Sequence, residues 1–509
     1  MTYQNPIIPG YNPDPSICRV GDDFYLVTSS FEFFPGVPVY HSKNLINWEM
    51  IGHCLTRDSQ LPLENCPASA GIYAPTIRYH DGVFFMTTTN VSAGGNFIVH
   101  AEDPRGPWSD PAWVKQRGID PSLFWDDDGV CWFTSNGSAD AEASGIFLCR
   151  IDPFTGEMLT PSMRISEGCG GKHPEAPHIY KKDGWYYLML AEGGTEYGHT
   201  ETMQRSRSVT GPYEPCPHNP ILSHVGACTD LNSNAIQATG HADLVEDGNG
   251  NWWLVCLAIR PLMPLLLHNL GRETFLAPVI WNDEGWPVVG NHGRIGLQME
   301  GPLPGPVPTP VSRDFADDFT GETLNPAWTF VRNPRRENYI RKNGRMTLVG
   351  TDTTLSHDGG TPTMMGIRQP AFCTEAVTAL KENILPGGRA GLTAYYNHSA
   401  HYEIFLTNKE DGYHICLGKQ VGDICTVAED RPVAYSGSLR LKVTSDSAWY
   451  SFWYEENGRW QLLGRGMTAY LCTETTCTMT FTGTFMGIFA ENTDAEFDAF
   501  TLTVKDTQP

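Results

Sequence analysis

Five stretches of the chain repeat one design: GDDFYLVTSS (21–30), DGVFFMTTTN (81–90), DDGVCWFTSNG (127–137), KDGWYYLMLAEGG (182–194) and DGNGNWWLVCLA (247–258). Each opens on an Asp/Gly turn and runs into aromatic and β-branched residues. Such side chains fit a pleated, half-buried surface, so each stretch reads as a strand entered from a tight turn. A second short strand precedes each one: DPSICRV (14–20), APTIRYH (74–80), DPSLFWD (120–126), EAPHIYK (175–181) and HADLVED (241–247). A hairpin repeated at intervals of several tens of residues marks the blades of a β-propeller. Five hairpins predict five blades in residues 1–300. No alternation of strands with helical periodicity points to a parallel α/β sheet.

Beyond the last hairpin lies GPLPGPVPTPV (301–311), with Pro at every second position from Pro302 to Pro310. Such a segment is stiff, extended and unable to join a central strand, so it reads as a linker. Residues 312–509 again alternate as strands, among them RMTLVG, YEIFLTN, LRLKVTS and FDAFTLTV. They predict a β-sandwich of jelly-roll type. The fold class is therefore all-β throughout.

Composition narrows the function. The 509 residues are 40% hydrophobic and 11% aromatic, which excludes a disordered chain. Against 35 Lys and Arg stand 58 Asp and Glu, a net charge of −23. A nucleic-acid partner needs clustered cations, so none is expected. No apolar run reaches the ~18 residues of a membrane helix, and no membrane partner is expected. The start, MTYQNP, lacks a basic region followed by an apolar stretch, so a cytoplasmic location is expected. The 14 Cys, scattered from Cys18 to Cys477 with no C-x-x-C pair, read as reduced thiols.

The repeat places chemistry as well as strands. The upstream strands begin on Asp14, Ala74, Asp120, Glu175 and His241. In a propeller, equivalent positions are related by rotation about the central axis, so innermost strands bring these five residues to one mouth. Three are carboxylates, and gathering them costs free energy through mutual repulsion. A working site repays that cost. Hydrolysis of an acetal needs an acid for the leaving oxygen and a base for water, and a third carboxylate keeps the acid protonated. Asp-Pro also opens ordinary turns, which is the bland account of Asp14 and Asp120.

The string NPIIPGYNPDPSICRVGDDFYLVTSSFEFFPGVPVYHSKNLINW (5–48) resembles the opening of the glycoside hydrolase family 43 enzymes, β-xylosidases and α-L-arabinofuranosidases. The resemblance continues through GIYAP, GIDPSLFWDDDG, EAPHIYKKDGWYYLMLAEGGT, GHADLVED and LGRETF. FTGTFMGIFA (481–490) and FDAFTLTV (497–504) resemble the C-terminal β-sandwich of the two-domain group. The resemblance implies Asp14 as general base, Glu175 as general acid and Asp120 as the residue that tunes and orients the acid. It implies an inverting, exo-acting hydrolase that releases terminal β-D-xylose or α-L-arabinofuranose from short plant-derived oligosaccharides. It places Phe31, Tyr73, Thr195, His241 and Arg272 around the sugar. His241 also stands where some relatives hold a channel cation. Two departures bear on specificity: Tyr73 stands where relatives often have Trp, and the stretch 259–274 is shorter than is common. The alternatives are a carbohydrate-binding propeller without catalysis and an arabinan-directed hydrolase.

Glu192 is a rival acid, placed late in its strand rather than at the mouth. No cofactor is required by this chemistry. In the second domain, Asp317 and Asp498 lie near the first and last strands, where acids can bind a structural Ca²⁺. A homo-oligomer stands among the expected partners beside the oligosaccharide.

Overall fold

The computed structural model describes residues 1–139, 144–227, 236–263, 265–381, 384–476 and 480–505. Cys228 and Cys477 lie outside them. The remaining cysteines are all free thiols, most of them buried. No helix among the described residues is long and apolar enough to cross a membrane.

The first part of the chain forms five antiparallel sheets in sequence order, the blades of a propeller. Their first strands are Ser16–Val20, Thr76–His80, Ser122–Trp125, Glu175–Lys182 and Gln237–Glu246. These strands touch the first strands of neighbouring blades and line the axis. The predicted hairpins follow: each first strand pairs with the aromatic stretch after its turn, as in Ile17 opposite Leu26 and Leu123 opposite Phe133. The turns pass through the left-handed region at Gly21 (φ 62°), Gly82 (φ 87°) and Gly184 (φ 73°). Glycine enters that region without the Cβ clash, which is why two of these turns read DG and the first reads GD. Ring closure falls to Thr2–Gln4, which pairs with Gln298–Glu300 outside the blades.

Residues 301–314 form no strand and lie along the first blade. Asn44 donates to the Pro306 carbonyl, and Asn47 donates to Thr309 O and accepts from Thr309 N. The rest of the chain makes a sandwich of two large sheets. Strict alternation, seen in Thr374–Lys381 and Ser438–Ser445, puts Leu380, Leu441 and Val443 inside. Leu392 and Ile404 of the other sheet join the same core.

The two domains share structure. Phe33–Phe34, from the connection after the second strand of blade one, pairs with Thr329–Val331 as the edge strand of a sandwich sheet. The adjoining Arg332, 2% exposed, donates from Nε to Cys66 O and from Nη1 to Gly360 O, both at 2.6 Å. One hydrophobic cluster runs through both domains, from Val37 and Leu61 to Trp328 and Ile404.

Candidate active site

The inner strands deliver their first residues to one end of the axis. Asp14, Phe31, Tyr73, Asp120, Glu175, Thr195, His241 and Arg272 line a single pocket of about 80 Å³. All eight residues proposed from the sequence for the sugar pocket meet there. Ala74 and Ile119 complete the propeller side, and Phe481 enters from the sandwich.

Local backbone explains how the side chains reach the pocket. Asp14 (φ 53°), Asp120 (φ 54°) and His241 (φ 46°) all adopt the left-handed conformation. Non-glycine residues hold it only where the surroundings enforce it, and such strain collects at functional sites. In blade four the left-handed residue is Ala176 (φ 49°), and the pairing register shifts between Glu175 and His178. Glu175 is thus one residue out of step with Asp14 and Asp120. The bulge re-aims its side chain, a common use of a bulge beside an active site.

The acids differ in environment. Asp14, buried, receives Ser29 Oγ at 2.5 Å and Arg272 Nη1 at 2.7 Å, with His241 Nδ1 3.6 Å away. Burial opposes its ionisation, but Arg272, His241 and the Ser29 hydrogen bond prevail and hold its carboxyl below the usual range. Asp120 is pushed well above that range by burial and by the charges of Glu175 and Asp14, against the Ala176 amide that hydrogen-bonds it. Glu175 is raised to about 7, by burial first and then by Asp14, with Arg272 acting the other way. Asp120 and Glu175 thus both lean towards the protonated form, while Asp14 leans towards the ionised one. One carboxylate is therefore charged and one proton is retained close by.

Arg272 organises the wall. Beyond Asp14, its Nη1 donates to Thr195 Oγ1 at 2.8 Å and its Nη2 to Phe481 O at 3.3 Å. Its guanidinium lies over the Phe31 and Phe481 rings at 5.5 and 5.4 Å. Phe31, Tyr73 and Phe481 contact one another with centroids 5.3 to 6.0 Å apart. Ser69 Oγ accepts the Phe481 amide and fixes this aromatic rim. Phe481 opens the FTGTFMGIFA stretch, but the blade repeat says nothing about a second domain, so its role was hidden. A further cavity of about 350 Å³ adjoins through Thr195, Arg272 and Phe481.

Glu192 is no rival acid. It is buried in its strand and accepts from Cys169 N, Gly171 N and Thr202 Oγ1, holding the 168–171 loop.

The cation sites do not fit. Asp498 sits between Arg345 Nε and Lys381 Nζ, each at 3.1 Å, so two cations already occupy its oxygens. Asp317 is spent on Phe319 N and Trp328 Nε1. A calcium ion needs several free oxygen ligands, and these two acids do not supply them. His241 has Asp14 beside it, but that carboxylate is held by Arg272. Among the described residues no three His, Cys, Asp or Glu side chains gather as metal ligands.

A pocket that keeps one carboxylate ionised beside a retained proton is equipped to cleave an acetal by acid–base catalysis. The protein is a glycoside hydrolase. The chain belongs to glycosyl hydrolases family 43, which it matches over residues 3–287. Residues 316–503 match the beta xylosidase C-terminal concanavalin A-like domain. It is 42% identical to a non-reducing end alpha-L-arabinofuranosidase of Bacteroides ovatus, over 98% of this chain and 94% of that one. It is 41% identical to a xylosidase/arabinosidase of Butyrivibrio fibrisolvens, over 81% of each. The solved structure of the Bacteroides ovatus xyloglucan PUL GH43B superposes with a TM-score of 0.92 at 40% identity, covering 99% of this chain and 100% of that one.

Proposed function

We propose that the enzyme removes single pentose units, β-D-xylose or α-L-arabinofuranose, from the non-reducing ends of short plant-derived oligosaccharides, by one inverting displacement. Asp14 takes a proton from water as it attacks the anomeric carbon. Glu175 gives its proton to the departing glycosidic oxygen. Asp120 shares the proton store and orients Glu175. The observation that carries this reading is the opposed pair of environments: Arg272 keeps Asp14 charged, while burial and Asp14 raise Glu175 to about 7. The small pocket, about 80 Å³ and rimmed by Phe31, Tyr73 and Phe481, supports exo action on a single terminal sugar. That rim weighs against an arabinan-directed cleft. Relatives of similar identity are named for both pentoses, so both are proposed.

Hydrolysis of the paired nitrophenyl β-xyloside and α-arabinofuranoside tests the substrate. Proton NMR of the first-formed xylose tests the mechanism: α-xylose first means one inversion, and β-xylose first would mean a covalent intermediate and a different role for Asp14. A propeller that only binds sugar would turn over neither substrate and would have nothing to lose on Glu175→Ala. For the setting, we propose a cytoplasmic enzyme acting on imported oligosaccharides. Cell fractionation that placed it outside the membrane would refute this.

A further inference from the structure

Directly beneath the pocket, the inner strands meet a second time. Ser16 follows Asp14 by two residues, Ser122 follows Asp120 by two and Asp243 follows His241 by two. In blade four the bulge adds one residue, so His178 takes the matching place. Asp243 is 0% exposed, and three donors reach each of its oxygens. Oδ2 accepts Ser16 Oγ at 2.6 Å, Ile17 N at 3.0 Å and Arg78 Nη1 at 2.7 Å. Oδ1 accepts Tyr180 OH at 2.6 Å, Leu244 N at 2.9 Å and Arg78 Nη2 at 3.2 Å. Blades one, two and four are thereby bound directly to blade five. Blade three joins through His178, whose Nδ1 meets Arg78 Nη2 at 2.9 Å and Ser122 Oγ at 3.1 Å. A guanidinium only donates, so Nδ1 must be the acceptor and the ring must be neutral.

We propose that Asp243 is a positioning residue for hydrolysis: it ties the inner strands together one step below Asp14, Asp120 and Glu175, and so sets the separation of the catalytic carboxyls. A carboxylate suits the place because every neighbour is a donor. Asparagine would turn one acceptor into an amide and set it against an N–H or O–H already there. Fold closure alone does not call for this hub. The ring is also closed at Thr2–Gln4 against Gln298–Glu300, and the blades pack through their apolar faces. What the hub adds is alignment between strands whose mouths carry the reacting groups. Misplacing a reacting group by about 1 Å costs on the order of 10²-fold in rate.

The inference rests on the hydrolase reading given above, and its test uses two substitutions and two readouts. Tyr180→Phe removes one of the six donors and leaves the Arg78 pair. It should fold, lower kcat by about tenfold on either nitrophenyl pentoside and leave KM within about twofold, because strand alignment enters the transition state more than ground-state binding. Asp243→Asn should lower kcat by about 10²-fold or more; if that variant fails to fold, Tyr180→Phe decides alone. Crystal structures of Tyr180→Phe and the parent give the second readout, the separation of the Asp14 and Glu175 carboxyls, which should change by about 0.5 Å or more. A Tyr180→Phe enzyme with parental kcat and superposable carboxyls, altered only in melting temperature, would overturn the proposal. If the parent cleaves neither pentoside, the substrate reading fails, and the carboxyl separation still decides this one.

Discussion

Arg272→Met removes the cation that keeps Asp14 ionised, and it should move both limbs of the pH–rate profile in the same direction. The pair is buried, with Nη1 2.7 Å from Oδ1. At that distance and an effective dielectric of about 20, the gross attraction is roughly 6 kcal/mol. Much of it offsets desolvation, and breaking a buried pair by deleting one partner costs about 3–5 kcal/mol. That cost falls on folding; kcat/KM should fall roughly 10²- to 10⁴-fold, the span that a correctly ionised general base contributes. The signs follow from the two acids. Asp14 must be ionised, and with Arg272 gone burial dominates and its pKa rises, so the acid-side limb moves to higher pH. Glu175 must be protonated, and Arg272 opposes its upward shift to about 7, so the alkaline limb also moves to higher pH. The assay is kcat/KM for xylobiose, whose poor leaving group needs the Glu175 proton, from pH 3 to 9, with circular dichroism to verify folding. An acid-side limb that stays with the parent's would refute the assignment of Asp14 as the base held charged by Arg272.

Glu175→Ala should cripple xylobiose hydrolysis by about 10³-fold but slow the nitrophenyl pentosides far less, since an activated phenolate leaves with little protonation; comparing kcat on the two leaving groups checks it. Phe481→Ala opens the aromatic rim and should raise KM for both pentosides about tenfold, measured by initial rates, because fully burying such a ring is worth roughly 1.5–3 kcal/mol. In the sandwich, Asp317→Ala strands the Nε1–H of Trp328, which is 1% exposed, and should cost about 1–3 kcal/mol in urea unfolding. Asp498→Asn, part-exposed between Arg345 and Lys381, should cost less than about 1 kcal/mol in the same assay.

Much of this molecule could be read from local pattern. Asp/Gly turns followed by aromatic strands located the blades, and the repeat brought Asp14, Asp120, Glu175 and His241 to one mouth because rotation about an axis preserves register. Register failed by one residue in blade four, where Ala176 takes the left-handed place; the mark was in EAPHIYK, whose Pro177 follows Ala176 as Pro15 follows Asp14 and Pro121 follows Asp120, so the prolines align Ala176 and not Glu175 with those acids. The sequence hid what distant pairing creates. Nothing in FTGTFMG shows that Phe481 reaches the sugar pocket, nor in SFEFFPG that Phe33 and Phe34 leave the propeller for the other sheet. What surrounds Asp498 was hidden for the same reason. Asp498 is acidic in sequence, but strand pairing sets Arg345 and Lys381 beside it.

That borrowed edge strand has a thermodynamic consequence. Producing the two halves separately, divided in the 301–311 segment, would strip Phe33–Phe34 from the sandwich and leave Thr329–Val331 as a bare edge, a template for association with other chains. It would also split the hydrophobic cluster that holds Val37 together with Trp328. Neither half has a complete surface of its own. Two domains by architecture should thus be one unit by cooperativity: a single calorimetric transition is expected to cover both, and two separate transitions would refute it.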